Sequence, residues 1–182
     1  MEIHSLLSTA EKEKLLEYLL DNPSQEIKIR RVAKNLSLSP SHITKFIKLL
    51  FQFKIVKEKR INLHNPLTKV LKVFFNLKKI LKANIIKEAK KIESLKGIGI
   101  YGSWVNGTNY EDSDLDIWIK TEKYISQEEI AKFSEKIRQK LKKNVQILVL
   151  TPEKINKIKK EDPIFFYSLV FNSLVLYGES VE

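Results

Sequence analysis

The chain contains no cysteine, so neither a disulfide framework nor a thiolate metal site is open to it. Its three histidines, His4, His42 and His64, are scattered and make no ligand cluster, which argues against zinc. No apolar run approaches the ~20 residues of a membrane span, and no basic-then-apolar leader opens the sequence. These absences predict a cytoplasmic protein with no membrane partner. Glycine is also scarce, five in 182 residues, and all five lie from Gly97 onward. What remains, 43% apolar and 30% charged residues, suits a soluble chain of one medium or two small domains.

Charge is distributed as unevenly as glycine. Residues 1–97 carry 21 basic against 9 acidic side chains, whereas residues 98–182 carry 12 against 13, within a total net charge of +11. The change coincides with the first glycines, so a basic half and a near-neutral half are expected to meet there. This divides the chain into a domain at 1–65, a helical linker at 66–96 and a second domain at 97–182.

In the basic half, Ser8 and Thr9 can cap a helix whose Leu15, Leu16, Leu19 and Leu20 share a face, and Asp21-Asn22-Pro23 ends it. A second helix is predicted from Ile29 to Leu36. Ser39 before Pro40 marks the start of a third, with Ile43, Phe46 or Ile47, and Leu50 facing inward. Phe53 to His64 reads as two short strands about the Lys57-Glu58-Lys59-Arg60 tip. Three helices and a basic hairpin, centred on Val32 to Leu50, resemble a winged helix-turn-helix domain. That resemblance implies that Ser41, His42, Thr44, Lys45 and Lys48 face the DNA major groove, while Lys57, Lys59 and Arg60 on the wing meet backbone phosphates. Such trihelical domains also serve as protein-binding or dimerisation modules.

The segment 66–96 places Val70, Leu71, Phe74, Phe75, Leu77, Ile80, Leu81, Ile85 and Ile86 at helical spacing among lysines. One long helix or two joined ones are expected, packed on a domain or on a second copy of the chain as a homodimer.

Four acidic residues of the second half gather in Gly99 to Ile119, GIYGSWVNGTNYEDSDLDIWI. Ile98 to Tyr101 reads as a strand, Gly102-Ser103 as the turn after it, Trp104 to Asn106 as the first turn of a helix, and Asp114 to Ile119 as a second strand. Strand alternation puts Asp114, Asp116 and Trp118 on one face. Two carboxylates two residues apart on a strand suit a hard cation, magnesium above all, which favours a few carboxylates together with phosphate oxygens and water. Glycine and serine at the turn admit a phosphate and donate to it. Local acidity inside a basic chain is therefore read as a site for a metal and a nucleoside triphosphate.

Gly102-Ser103, three residues, Gly107, five residues, and Ser113-Asp114-x-Asp116 resemble the signature of the DNA polymerase beta-type nucleotidyltransferases, particularly the minimal members of that superfamily. The resemblance covers roughly residues 97–152. It implies that Gly102 and Ser103 contact the triphosphate, and that Asp114 and Asp116 are the catalytic acids binding Mg2+ or Mn2+. The implied fold class is α+β: an N-terminal winged helix-turn-helix, a helical linker, and a C-terminal mixed sheet packed with helices. The family's third carboxylate lies on the strand after the next helix. Here the helix Ser126 to Lys143 leads into Asn144 to Pro152, which holds no acid; Gln146 stands at the third-carboxylate position, and Glu153 is the nearest acid beyond it. A glutamine carries no charge and takes no proton, so a general-base contribution of ~10²–10⁴-fold would be missing.

The predicted activity is transfer of a nucleotidyl group, AMP favoured, to a protein or nucleic-acid hydroxyl. Two alternatives are a nucleotide-sensing DNA-binding regulator and an antitoxin-like partner of a helical protein. The tail from Asp162 reads as an apolar helix and a last strand ending at Gly178, with Phe165, Phe166, Tyr167 and Phe171 expected in the core rather than as a base-stacking platform.

Overall fold

The structure, a computed structural model, describes residues 2–182 and divides into two compact units, Met1–Lys72 and Val73–Glu182. The first opens with a 3-10 turn, Ile3–Leu6, followed by α1 (Ala10–Asp21), α2 (Ile29–Leu36) and α3 (Pro40–Gln52). Capping fixes two of the starts: Thr9 accepts from the Lys12 amide and Ser39 from the His42 amide, each holding one amide that a helix start leaves unpaired. Ser37 ends α2 in the left-handed region, at φ 55°, so the chain turns sharply into α3.

The core of this unit is aliphatic, built from Leu15, Leu16, Leu19 and Leu20 of α1, Val32 and Leu36 of α2, and Ile43, Phe46, Ile47 and Leu50 of α3. At ~1.5–3 kcal/mol for each fully buried side chain, this apolar cluster is the main stabilising contribution. A hairpin of β1 (Val56–Lys57) and β2 (Arg60–Ile61) follows, with Glu58 and Lys59 both at positive φ, the backbone of a tight I′-type turn. Val56 and Ile61 point inward; Lys57 and Arg60 point out. The helix α4 (Pro66–Lys82) begins in this unit, where the buried Lys72 ammonium donates to the Leu20 carbonyl at the end of α1, 2.7 Å away.

The second unit takes in the rest of α4, then α5 (Ile85–Ala89), β3 (Leu95–Tyr101), α6 (Ser103–Asn106), β4 (Leu115–Thr121), α7 (Gln127–Leu141), β5 (Val145–Leu150), α8 (Pro152–Glu161), α9 (Pro163–Phe171) and β6 (Leu174–Gly178). Its four strands lie in the order β5-β4-β3-β6, with β4 and β5 parallel and the other pairs antiparallel, so the sheet is mixed and packed with helices. Period-two alternation sorts the two faces. Ile98 and Ile100 of β3 and Leu115, Ile117 and Ile119 of β4 join Ile80, Ile85, Phe133 and Ile137 from α4, α5 and α7. On the other face Trp118 and Leu150 meet Ile158, Phe166 and Leu169 from α8 and α9, and Val181 of the tail. Trp118 fits there because Gly99 lies beneath it: a Cβ at that position would come within 2.3 Å of the indole.

Two expectations change, at residues 152–161 and on α9. Residues 152–161 carry no element in the sequence reading, yet they form α8, with Thr151 as its cap and Pro152 in its first turn. On α4 only part of the apolar pattern is covered: Leu71, Phe75 and Ile80 are buried, while Val70, Phe74 and Leu81 are exposed. On α9 Phe166 is buried and Phe165 half-buried, but Tyr167 and Phe171 are exposed and so are not core.

Candidate active site

Sheet register assembles the site. Asp116, the second residue of β4, pairs with Tyr101 at the end of β3 on one side and with Gln146 of β5 on the other. Asp114 directly precedes β4. Its Oδ2 accepts a hydrogen bond of 2.8 Å from the Gln146 amide, so Gln146 bridges the strand to the first acid. Burial, and then the charge of Asp114, push the Asp116 pKa above the usual carboxylate value. Burial and the charge of Asp116 likewise raise the Tyr101 phenol. Negative charge is concentrated here without a cationic side chain hydrogen-bonded to either acid among the described residues.

Gly102 turns the chain from β3 into α6 at φ 73° and ψ −148°, a conformation open in practice only to glycine. A Cβ built there would stand 2.5 Å from Asp116 Oδ2, so the backbone of the turn lies directly against the second carboxylate. Ser103 begins α6, whose opening amides lack helical partners as at any helix start. The fold brings Gly102, Ser103, Asp114, Asp116 and Gln146 to one end of the sheet.

The loop between α6 and β4 is held from within the unit. Asn109 is buried and accepts from Asn76 Nδ2 at 2.9 Å; the same amide donates to the Trp104 carbonyl, also at 2.9 Å. Asn76, on α4, thus ties α6 and the loop together, a role invisible in the sequence because a lone asparagine in a helical stripe gives no signal. Ser113 Oγ accepts from the Tyr110 amide at 2.8 Å, which shapes the turn before the acids. Lys143 donates to the Glu111 carbonyl.

The residues fit a divalent cation in type: two oxygen-donor carboxylates at an open sheet end, one destabilised in its charged form by burial and then by its neighbour, a cost that a cation would offset. No third acid joins them, and no cluster of three His, Cys, Asp or Glu side chains occurs among the described residues. Glu153 cannot supply one within the chain. It lies past Leu150 at the far end of β5, and the four residue steps from Gln146 to Leu150 alone span about 13 Å.

The polymerase beta nucleotidyltransferase family model matches residues 83–179, more than half of the sequence and all of this sheet. The chain belongs to that nucleotidyltransferase family. Among solved structures it is similar to a toxin-antitoxin complex with AMP-PNP, at 20% identity and a TM-score of 0.42, over 56% of this chain and 73% of that one. It is also similar to a complex of a tri-AMPylated HEPN toxin of Shewanella oneidensis with an MNT antitoxin, at 18% identity and a TM-score of 0.38, over 59% and 73%. No curated protein matches.

The residues expected to face DNA belong to the other unit. Ser41, Thr44, Lys45, Lys48, Lys57, Lys59 and Arg60 are exposed, and His42 is half-buried. Several already have local partners: Thr44 Oγ1 donates to the Pro40 carbonyl, His42 Nδ1 lies 3.6 Å from Glu11, Lys57 is 3.7 Å from Glu58 and Lys59 3.6 Å from Glu26. No helix among the described residues is long and apolar enough to cross a membrane.

Proposed function

We propose that this nucleotidyltransferase-family chain binds a nucleoside triphosphate with Mg2+ or Mn2+ and transfers its nucleotidyl group, AMP favoured, to an acceptor hydroxyl. Asp114 and Asp116 would hold the metal, which would supply positive charge to the triphosphate; Gly102 and Ser103 would contact the phosphates. The acceptor oxygen forms a bond to the α-phosphorus while the bond from that phosphorus to the oxygen bridging the β-phosphate breaks, releasing pyrophosphate. The acceptor proton passes to solvent, since Gln146 has no basic oxygen to take it. One observation carries the reading: the Gly102 backbone is pressed against Asp116 with Asp114 beside it, so a phosphate on the turn and a metal on the acids would be neighbours.

The N-terminal unit is read as a winged helix that binds duplex DNA. Exposed Ser41, Thr44, Lys45 and Lys48 on α3 support groove contact, and Lys57, Lys59 and Arg60 on the hairpin support phosphate contact. Val70, Phe74 and Leu81, exposed along α4, favour a homodimer through that helix. A second reading is favoured by the Gln146–Asp114 hydrogen bond, which occupies an acid oxygen that a third carboxylate would leave to a metal. In that reading the site senses nucleotide and the winged helix acts on DNA.

The test is incubation with each α-labelled triphosphate, Mg2+ or Mn2+, and nucleic-acid or cell-extract acceptors. Wild type is expected to transfer label slowly, Gln146→Asp at least tenfold faster, and Asp116→Asn not at all. Label from Gln146→Asp alone would support the sensing reading, and silence from both would overturn transfer.

A further inference from the structure

Two aromatic side chains of α9 stand outside the core although their neighbours fill it. Tyr167 and Phe171 are 48% and 76% exposed, with rings nearly parallel at 14° and centroids 6.1 Å apart. Ile164, one turn before Tyr167, is 85% exposed and extends the same stripe. Phe166 and Leu169 already anchor the helix to Trp118 and Leu150, so core packing does not require the outer rings. Single exposed apolar residues are ordinary, but three on one face of a nine-residue helix form a patch.

The helix that carries the patch packs at the end of the sheet that holds the acids. Phe165 meets the Tyr101 ring edge-on at 6.3 Å, and Tyr101 is the strand partner of Asp116. After Phe171 only two residues precede Leu174, which pairs with Ile100 beside Tyr101. Both ends of α9 are therefore tied to the site's end of β3.

One cation lies beside the inner neighbour of these rings. Lys159 Nζ sits 5.4 Å from the Phe166 ring centroid, and that ring lies 5.3 Å from Tyr167. Lys157 and Lys160 are also exposed on α8, whereas Lys154 lines a cavity with Ile130 and Ser134 of α7. The acids nearby are partly engaged: Glu161 lies 3.8 Å from Lys157, and Asp162 caps α9 by accepting from the Phe165 amide. Exposed aromatic faces beside lysines have the chemistry of single-stranded nucleic-acid binding, in which bases stack on rings and phosphates pair with cations.

We propose that the outer face of α9 docks a single-stranded nucleic acid, its bases stacking on Tyr167 and Phe171 and its phosphates meeting Lys159 and its neighbours on α8. This deepens the transfer reading by naming the acceptor class, and it rests on that reading only for what happens to the bound strand. Binding itself needs neither metal nor triphosphate.

The experiment measures fluorescence anisotropy of labelled oligo(U) and oligo(dT) with the full chain, without nucleotide, alongside a labelled DNA duplex. Tyr167→Ser with Phe171→Ser is expected to weaken single-strand binding about tenfold or more and to leave duplex affinity and Mg2+-ATP binding unchanged. Lys159→Ala should lower the slope of single-strand affinity against salt by about one. Unchanged single-strand affinity in the double variant would overturn the proposal, as would wild type that fails to bind either oligonucleotide. So would sedimentation showing that the double variant abolishes self-association while oligonucleotide affinity stays the same, which would make the patch a protein interface. If strands bind through the rings but no α-label reaches them, the platform stands and transfer to nucleic acid fails.

Discussion

Gly102 shows how a motif position acquires its physical reason only in three dimensions. The spacing from Gly102-Ser103 to Asp114-x-Asp116 is readable in the sequence, and it brings the expected residues together. The sequence also suggests glycine so that a phosphate can approach. The structure adds a constraint: at φ 73° the Cα lies against Asp116, and any side chain would meet its Oδ2 at 2.5 Å. Gly102→Ala is accordingly expected to displace Asp116 and to weaken Mg2+-nucleotide binding at least tenfold while the protein stays folded; a thermal-shift titration with Mg2+-ATP reads this. An alanine variant with wild-type nucleotide affinity would refute the close-approach account. Gln146 was also legible, because β5 holds no acid in any register, but its hydrogen bond to Asp114 was not. Side-chain pairing across a strand depends on the parallel register Asp116 to Gln146, which no single-sequence pattern fixes.

At the scale of elements, helices with strong caps and breakers were legible: α2 and the start of α3 follow Ser37 to Pro40 as read. The helix α8 has a good start signal in Thr151-Pro152 but a weak periodic one, because only Ile155 and Ile158 give it an apolar face. The sequence shows α9 as a helix, but its uniform apolarity hides which side packs, so the pattern predicts Tyr167 and Phe171 inward where the fold exposes them. On α4 the informative residue is polar. Replacing Asn76 with leucine strands the Trp104 carbonyl and Asn109 Oδ1 in a buried setting, at ~1–3 kcal/mol for each lost partner. The expected result is a loss of about 2–6 kcal/mol in urea denaturation and a weaker apparent affinity for triphosphate; stability within error of wild type would show that the brace is dispensable.

The link from α5 to α7 carries a pH signature. Glu88, with a side chain only 13% exposed, accepts from Lys91 at 2.7 Å and from Lys140 at 3.2 Å, and lies 3.7 Å from Lys136. The Lys91 hydrogen bond first, and then that of Lys140, hold its carboxyl at about 2, below the ordinary 4.5. A folded-state value below the unfolded one stabilises the fold above the ordinary carboxylate range. That contribution is lost as pH falls from about 4.5 through about 2. Glu88→Gln should therefore melt below wild type near neutral pH, with the gap closing on acidification; a gap independent of pH would assign the effect to packing instead.

At the scale of the whole molecule, charge asymmetry was the most legible property, with basic residues concentrated before residue 98. If the basic unit binds duplex DNA through α3 and the hairpin, affinity falls steeply with salt, and Lys45→Ala reduces the slope of log affinity against log salt by about one. A slope unchanged in Lys45→Ala would remove that residue from the interface. The hydrophobic spacing of α4 is continuous through Lys72 and Val73, so it carries no mark of the division between the two compact units there.

The most direct measurement of the central claim is calorimetric titration of ATP into the full chain with Mg2+ and with EDTA, repeated on Asp114→Asn with Asp116→Asn. The account predicts saturable binding that requires the metal and is lost in the double variant, while duplex DNA affinity is preserved. Equal ATP affinity in wild type and variant, or binding indifferent to EDTA, would contradict the assignment of these two acids and the glycine-serine turn as a metal-triphosphate site.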